Sequence, residues 1–448
     1  MYRCGKCKAR LEVKYRTDHS NEFKSAVKQV DQMDTMQRTQ IESVASMPPT
    51  RKSFLSWLKE GEYRIIFLIA LTALILHLFV IPYATTPIYD EIPYIQEAKS
   101  IIQLGQQTHP EQLSLGKLLI ASGIWTLGDN PWGWRIASAI FAVALIVLFW
   151  FVCRRLAGKR TAFFAVFLLT FESFIFNYSS LAMVEVFIFT FMLMSFLFYL
   201  KDRYILSGIS LALSGLCKIT GLLGVVAILG HWLIIKRAKS PANMGLFIVS
   251  VVAAFVILMP ILDFAATREW LNPLHRLLVV IQFHEAKTLT SIPGNSLAAG
   301  ELSPWKWVLS LSGFQWVNWG FLSKINTTVW IMIIPSMCYM VYEFVKKRTA
   351  FSLFIVLWFA SFYFFWMLLT LALGRVTFHY YFYPSLIAVC AAIGFALSEL
   401  WQKASKWQSI DYRWIRFAII AYMCLHLLFF MALSMVRPAL IAYAPSPT

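Results

Sequence analysis

The chain has 448 residues, of which 59% are hydrophobic and only 14% are charged. Soluble domains usually contain roughly 45–50% apolar residues, so this composition would leave large apolar patches exposed to water. Disorder is excluded for the bulk of the chain because disordered segments have low hydrophobicity, and seven cysteines are too few for a disulfide scaffold. The remaining class is an all-α integral membrane protein with several spans.

The formal net charge of +17 fits basic loops that face the cytoplasm and anionic membrane lipids. Nucleic acid is excluded as a partner, because no soluble domain is large enough to read a groove. Residues 1–63 are polar throughout, and no apolar run of a signal peptide follows their basic start. We predict that residues 1–63 form a cytoplasmic tail.

Long apolar runs after Arg64 predict about eleven transmembrane helices. At about 1.5 Å per residue most of them are long enough to cross the hydrocarbon core. The short pair 204–217 and 219–235 fits either two compressed spans or one broken helix. The predicted spans are 65–82, 134–152, 161–176, 183–200, 204–217, 219–235, 244–264, 327–345, 351–372, 380–399 and 417–436.

Basic residues set the predicted orientation of these spans, because Lys and Arg are enriched in cytoplasmic loops. They cluster at alternate junctions, beginning with Arg154, Arg155, Lys159 and Arg160 after the second span. The N-terminus is therefore predicted inside, and the tail 437–448 outside. Two long loops, 83–133 and 265–326, are predicted on the outer side, where their aromatic residues favour interfacial helices.

The first outer loop offers a candidate general base. Asp90 and Glu91 come directly after the first span, where a carboxylate can accept a proton from a hydroxyl close to a lipid-bound substrate. The alternative is a pair of solvated loop acids without catalytic role.

Several basic residues are candidates for binding an anionic group. Arg135, at the start of the second span, either snorkels or holds a phosphate with its planar fork. Lys218 interrupts an apolar stretch, and a mid-helix lysine costs roughly 2.5–3.5 kcal/mol, so it should face a cavity, an acid or an anion. Alternatively, Lys218 marks a turn between two short spans. Glu185 opens the fourth span and could pair with either cation.

A further polar group precedes the tenth span. Arg375, His379 and Tyr380 converge on one level and suit a phosphate ester or a diphosphate. The alternative is an aromatic belt with one snorkelling arginine.

The order of these segments resembles the protein O-mannosyltransferase family, glycosyltransferases of the GT-C fold that use polyprenyl-phosphate sugars. The matching segments are Asp90-Glu91, Leu115–Ile120 (LGKLLI), Leu127–Ala139 (LGDNPWGWRIASA), Ala182–Glu185 (AMVE), Lys218–Gly221 (KITG), His284, Ser303–Trp307 (SPWKW) and His379–Tyr381 with Pro384. Three features depart from the family pattern. Gln112, Leu113 and Ser114 replace its His-Pro-Pro, Lys306 replaces its second tryptophan, and the loop 265–326 has no β-trefoil insert. These departures leave protein, lipid and glycan acceptors open.

The resemblance implies that residues 64–436 form a GT-C catalytic domain that transfers a sugar with inversion from a polyprenyl- or dolichyl-phosphate donor to an acceptor hydroxyl. The implied sugar is mannose, and the implied acceptor is a protein Ser or Thr. A divalent cation is compatible with this reaction but not required by it, and a dimer is compatible with the family. The active site is expected on the extracytoplasmic or lumenal side of a prokaryotic plasma membrane or the endoplasmic reticulum.

Residue roles follow from the same resemblance. Asp90 is the expected base, with Glu91 beside it in the catalytic pair. Glu185, His284 and Trp305 are expected to support the site. The expected phosphate ligands are Lys117, Arg135, Lys218, Arg375, His379 and Tyr380.

Two other classes of function use the same residues. A transporter or flippase for an anionic lipid-linked solute would line its pathway with the buried Lys and Arg side chains. It would also need polar groups accessible from both faces, whereas the candidates here cluster on one side. A membrane scaffold would instead recruit its partners through residues 1–63.

Overall fold

The computed structural model describes residues 61–88, 90–103, 112–236, 241–285, 303–309, 324–406 and 411–443. The predicted tail lies outside these ranges up to residue 60, as do residues 286–302 and 310–323 of the second loop. Within the described ranges the chain is helical and contains no β-strand.

The described residues form seventeen α-helices. The helices are α1 Gly61–Val80, α2 Glu91–Gln103, α3 Ser114–Leu127, α4 Pro131–Thr170, α5 Ser173–Ser179, α6 Glu185–Leu200, α7 Tyr204–Cys217, α8 Gly224–His231, α9 Pro241–Thr267, α10 Pro273–Glu285, α11 Lys306–Leu309, α12 Thr327–Ile331, α13 Ile333–Lys347, α14 Ala350–Leu373, α15 Tyr383–Lys406, α16 Asp411–Leu433 and α17 Val436–Tyr443.

Six helical segments of the described chain are long and apolar enough to cross a membrane. They are 63–80, 131–170, 241–267, 350–373, 379–404 and 413–433. Four shorter apolar segments, namely α3, α6, α7 and residues 219–235, complete the apolar helices. The predicted all-helical membrane architecture is thereby confirmed, whereas the number of eleven spans stays a prediction.

Helix α4 joins two predicted spans, 134–152 and 161–176, across a kink. Gly158 has φ 86° and ψ 175° inside this helix, a conformation that only glycine adopts readily. The exposed basic side chains of Arg155, Lys159 and Arg160 surround the kink. The predicted span 161–176 ends early, because α4 stops at Thr170 and the short helix α5 follows.

The short predicted pair 204–217 and 219–235 is broken at Lys218. Helix α7 ends at Cys217, and Lys218 is extended with φ −161° and ψ 134°. A 3₁₀ turn, Ile219–Leu223, then leads into α8, and a π turn, Trp232–Lys236, follows α8. Lys218 therefore lies at a break between α7 and the 3₁₀ turn.

The core lies where α15 packs against α4 and where α7 packs between α6 and α9. Ten consecutive residues of α15, from Ser385 to Gly394, are buried. Gly394 lets the helices approach closely, since a Cβ there would lie 2.6 Å from the backbone nitrogen of Ala165 in α4. Helix α4 also packs against α6 and α3, and α3 packs against α2. The helices that carry the candidate site residues are therefore connected through α4.

Candidate active site

The first element of the site is a buried ion pair between Glu91 and Arg135. Arg135 donates from Nε and Nη2 to the two carboxylate oxygens of Glu91, each at 2.8 Å, and both side chains are fully buried. Glu91 also accepts from the backbone nitrogens of Ile88 at 3.0 Å and Ala182 at 2.6 Å. The pair therefore joins the start of α2 to α4 and to the segment that leads into α6.

Arg135 uses all of its N–H donors inside the protein. Its Nη1 donates to the carbonyls of Ile81 at 2.8 Å and Ala84 at 2.6 Å, and its Nη2 donates to that of Thr86 at 3.3 Å. With the two bonds to Glu91, the five donors of a guanidinium are occupied. This arrangement differs from the predicted phosphate ligand, because a phosphate would have to displace one of these bonds. Arg135 instead binds the backbone of the segment that precedes Asp90.

A second ion pair joins Lys218 to Glu185. Lys218 Nζ lies 3.0 Å from Glu185 Oε1, and both residues are buried. Glu185 Oε2 is also buried and has no hydrogen-bond partner among the described residues. The extended backbone at Lys218 directs this lysine to the first turn of α6, where Glu185 also favours the helix dipole.

Aromatic rings form one wall beside this pair. Lys218 Nζ lies 4.9 Å from the ring centre of Tyr380 and 5.3 Å from that of Tyr381, within reach of cation–π attraction. Tyr381 stacks on Trp366 at 3.9 Å between ring centres. A small cavity lies among these groups and is bordered by Glu185, Lys218, Thr220, Trp366, Tyr380 and Tyr381. Cationic, carboxylate and hydroxyl groups therefore converge on one hollow.

Asp90 belongs to the same cluster. It interacts electrostatically with Tyr94, one turn along the chain, and with Tyr380. Tyr94 in turn interacts with Lys218 and Glu185. Burial raises the pKa of the Tyr94 hydroxyl well above its usual range, and the nearby Lys218 offsets this only in part. The Tyr94 hydroxyl therefore stays protonated at neutral pH and can donate a hydrogen bond.

Lys117 forms a third buried ion pair, with Glu97. Its Nζ lies 3.0 Å from Glu97 Oε1, and each side chain is 1% exposed. The preceding Gly116 packs against Val184 and the carbonyl of Cys217, and a Cβ there would lie 2.7 Å from Val184 Cγ1. The LGK segment therefore lies directly against the residues that precede Glu185 and Lys218.

The residues before α15 are buried and tied to α5. His379 is hydrogen-bonded to the hydroxyl of Tyr178, and Tyr383 to Ser179 at 2.6 Å. Arg375 is 7% exposed, and its carbonyl accepts from Thr370 at the end of α14. These contacts orient the 3₁₀ turn His379–Phe382, which carries Tyr380 and Tyr381 into the site.

Of the two candidates from the second loop, the structure describes the side chain of Trp305 but not that of His284. His284 lies on α10, but its side chain is outside the described part of the chain. Trp305 is exposed, whereas Trp307 is 1% exposed and packs against Tyr363 and Phe382. Trp307 is thus the tryptophan of the SPWKW segment that supports the turn before α15.

Among the described residues, no group of three or more His, Cys, Asp or Glu side chains could hold a metal ion.

The two adjacent acids Asp90 and Glu91 differ in their surroundings. Glu91 has both oxygens bonded inside the protein, while Asp90 interacts electrostatically with Tyr94 and Tyr380.

The sequence interpretation missed three participants: Tyr94, Glu97 and Trp307. Tyr94 lies four residues after Asp90 and belongs to the first turn of α2, which Asp90 directly precedes. Glu97 and Lys117 belong to different helices, and nothing in their sequence spacing indicates that they pair.

Part of this chain is similar in sequence to known proteins. Residues 111–263 match the family described as dolichyl-phosphate-mannose-protein mannosyltransferase. The chain is 30% identical over 130 residues to a polyprenol-phosphate-mannose–protein mannosyltransferase of Mycolicibacterium smegmatis. It is also 30% identical over 137 residues to the enzyme of the same name from Corynebacterium glutamicum. Each of these matches covers 27% of this chain and 25% of the relative, so the chain spans about a quarter of the curated relatives it matches.

Solved structures share the fold over most of the chain. The protein O-mannosyltransferase complex Pmt1-Pmt2 of S. cerevisiae, bound to the sugar donor, superposes with a TM-score of 0.67 at 9% identity, over 84% of this chain and 90% of that one. ArnT from Cupriavidus metallidurans, bound to undecaprenyl phosphate, gives 0.56 at 13% identity, over 84% and 77%. The oligosaccharyltransferase AglB from Archaeoglobus fulgidus gives 0.55 at 14% identity, over 88% and 57%.

These likenesses and the apolar helices agree with the architecture expected from the sequence. The chain is an integral membrane protein with the fold of the GT-C glycosyltransferases, and its resemblance to the protein O-mannosyltransferase family is confirmed over residues 111–263.

Proposed function

We propose that the protein is a membrane glycosyltransferase that moves mannose from a polyprenyl-phosphate-mannose donor to an acceptor hydroxyl. The observation that carries this proposal is the single cluster in which Asp90 and the Lys218–Glu185 pair meet around Tyr94 and Tyr380. A base and a cation are the two groups that this transfer requires. The match over residues 111–263 supports it, because this stretch includes Lys117, Glu185 and Lys218.

Asp90 acts in this proposal as the general base on the acceptor hydroxyl. A carboxylate in hydrogen-bond reach of that hydroxyl removes its proton as the oxygen attacks C1 of the sugar. The bond from C1 to the phosphate oxygen breaks on the opposite side, so the configuration at C1 inverts. Tyr94 and Tyr380 interact electrostatically with Asp90 and are proposed to orient its carboxylate.

The leaving lipid phosphate needs positive charge rather than a proton, because its negative charge grows as the C1–O bond breaks. Lys218 is the proposed principal ligand, because it faces a cavity that Tyr380 and Tyr381 border. Lys117 and Arg375 are proposed to add to the positive field, and His379 is proposed to act as a hydrogen-bonding ligand. Arg135 receives a different role: with Glu91 it positions the loop before Asp90.

The acceptor and the membrane side are also proposed. The relatives that match residues 111–263 are named as protein mannosyltransferases, which favours a protein Ser or Thr hydroxyl over a lipid or glycan acceptor. The basic residues around Gly158 favour a cytoplasmic location for this kink. In this orientation the site lies on the extracytoplasmic side.

The test is transfer of radiolabelled mannose from polyprenyl-phosphate mannose to a mixed pool of peptide, lipid and glycan acceptors by the purified full chain. Labelled peptide is the expected product. Asp90→Asn should reduce transfer at least about 100-fold, the lower end of what a positioned base contributes. Glu269→Gln, an exposed acid beyond the end of α9, should retain transfer.

Undiminished transfer by Asp90→Asn would remove Asp90 as the base. Label that appears only in lipid or glycan would replace the proposed acceptor class. Movement of intact donor across a vesicle membrane without sugar transfer would favour a flippase instead.

A further inference from the structure

We propose that Arg276, on α10, is a positioning residue that couples the loop helix α10 to the proposed base Asp90 through Gln112 and Tyr94. This inference rests on the proposed glycosyl transfer. It concerns a residue outside the cluster that surrounds Lys218.

Arg276 is a buried charged residue on helix α10. Asn272 caps the helix by accepting from the backbone nitrogen of Leu274 at 2.9 Å, which sets where the helix begins. Leu274 and Leu278 are exposed, whereas Arg276 is 3% exposed. An arginine is almost never buried in this way unless it is paired. Its contacts therefore define what α10 is held against.

Arg276 reaches two partners from different parts of the chain. Its Nη2 donates to the carbonyl oxygen of Gln112 at 2.7 Å. Its Nε forms an ion pair with Asp263 near the end of α9, 3.4 Å from Oδ2 and without hydrogen-bond geometry. Asp263 in turn accepts from Ser114 Oγ at 2.5 Å, at the first residue of α3. The guanidinium thus holds α9, α10 and the entry to α3 together.

The surroundings of this group are apolar and closed. Leu113, Leu216, Met259 and Val280 form a buried cluster beside it. Asp263 is 1% exposed, and Ser114 is 2% exposed. If the guanidinium of Arg276 moved away from Asp263, water could not replace the lost contact. The positions of Arg276 and Asp263 are therefore well defined.

Gln112 connects this group to the site. Its carbonyl is bonded to Arg276, while its side chain is hydrogen-bonded to the hydroxyl of Tyr94. Tyr94 interacts with Asp90 as well as with Lys218. A shift of Gln112 would therefore displace the hydroxyl of Tyr94, which interacts electrostatically with the proposed base. The position of α10 and the orientation of Asp90 are linked by this route.

The coupling predicts a specific kinetic defect. Loss of the Arg276 contact should lower kcat, because catalysis is sensitive to small errors in the position of the base. The KM for the polyprenyl-phosphate donor should change little, because Lys218 keeps its pairing with Glu185. If Arg276→Gln only lowered the fraction of folded protein, the measured rate would fall by the same factor with Tyr94 and with Phe at position 94.

The experiment is a double-mutant cycle with Arg276→Gln and Tyr94→Phe in the full chain. Each single variant should lower kcat by about 10- to 100-fold, in the range of a small misplacement of reacting groups. The double variant should be no slower than the slower single variant, because both changes break the same connection. Arg268→Gln, an exposed arginine after α9, is the matched control and should keep the kcat of the parent chain.

Arg276→Lys is the second variant, for the case in which Arg276→Gln does not fold. It retains the charge opposite Asp263 but lacks the planar fork that reaches both Asp263 and Gln112. Effects that multiply in the cycle, or a loss of rate that disappears after correction for folded protein, would overturn the coupling. A parent chain without any transfer would instead remove the proposed function.

Discussion

At the scale of single residues, the site depends on carboxylates and cations that neutralise each other away from water. Glu91–Arg135, Glu97–Lys117 and Glu185–Lys218 are all buried pairs. The net stabilisation from such a pair is small, because desolvation offsets much of the Coulomb attraction. Removing one partner is costly, because the other charge is then left buried and unpaired.

We predict that Glu91→Gln destabilises the protein by about 3–5 kcal/mol, the usual cost of breaking a buried pair. Arg135 would lose its charged partner and keep only carbonyl acceptors. Thermal unfolding in detergent measures the effect, with Glu269→Gln as the exposed control. An equal melting temperature for Glu91→Gln and the parent chain would contradict the structural role of this pair.

We predict that Lys218→Gln raises the KM for the donor about tenfold or more, because a charge-assisted phosphate contact is lost. Lys99→Gln is the control, since Lys99 pairs with Asp129 on the surface at 33% and 51% exposure. Adding Glu185→Gln to Lys218→Gln should restore thermal stability but not the donor KM. Recovery of both would assign Lys218 a purely structural role.

At the scale of helices, close approach of backbones sets the site-bearing segments in place. A Cβ on Gly133 would lie 2.0 Å from the carbonyl oxygen of Gly128, and one on Gly123 would lie 2.4 Å from that of Gly133. Helix α3 and the start of α4 can therefore pack only with glycine at these positions. Arg135 follows two residues after Gly133, so this contact also locates the Glu91–Arg135 pair.

We predict that Gly133→Ala lowers the free energy of unfolding by at least about 1–3 kcal/mol, the usual range for overpacking. The added methyl group meets backbone, which cannot rotate away. Gly245→Ala in α9 is the control, because a Cβ there meets nothing within 4 Å. Thermal unfolding compares the two variants, and equal melting temperatures would show that α3 and α4 can separate at little cost.

At the scale of the whole molecule, orientation in the membrane follows from the placement of basic residues. Lys159 is exposed beside the kink at Gly158, while Glu269 is exposed beyond the end of α9. The predicted topology places Lys159 in the cytoplasm and Glu269 outside.

We predict that a membrane-impermeant maleimide labels Glu269→Cys in intact cells but labels Lys159→Cys only after permeabilisation. The parent chain measures the background from its own cysteines. Labelling of Lys159→Cys in intact cells would invert the topology and place the proposed site in the cytoplasm.

Much of the architecture could be predicted from periodicity and composition alone. The span 204–217 coincides with α7, because a helix that must satisfy its backbone within lipid needs a continuous apolar run. The join of two spans in α4 was not predicted, because continuity across Gly158 depends on dihedral angles rather than on hydropathy. Helices were expected in the loop 83–133, but their placement depends on tertiary packing: α2 packs against α3, and α3 packs against α4.

The sequence by itself determined the membrane class, the helical fold and the presence of acids and cations in apolar surroundings. Unpaired charge is costly there, so each such residue signalled a partner. Only the tertiary structure decided the partners: Arg135 with Glu91, Lys117 with Glu97 and Arg276 with Asp263. The reason is that these pairs join helices distant along the chain, and their geometry depends on how the helices pack.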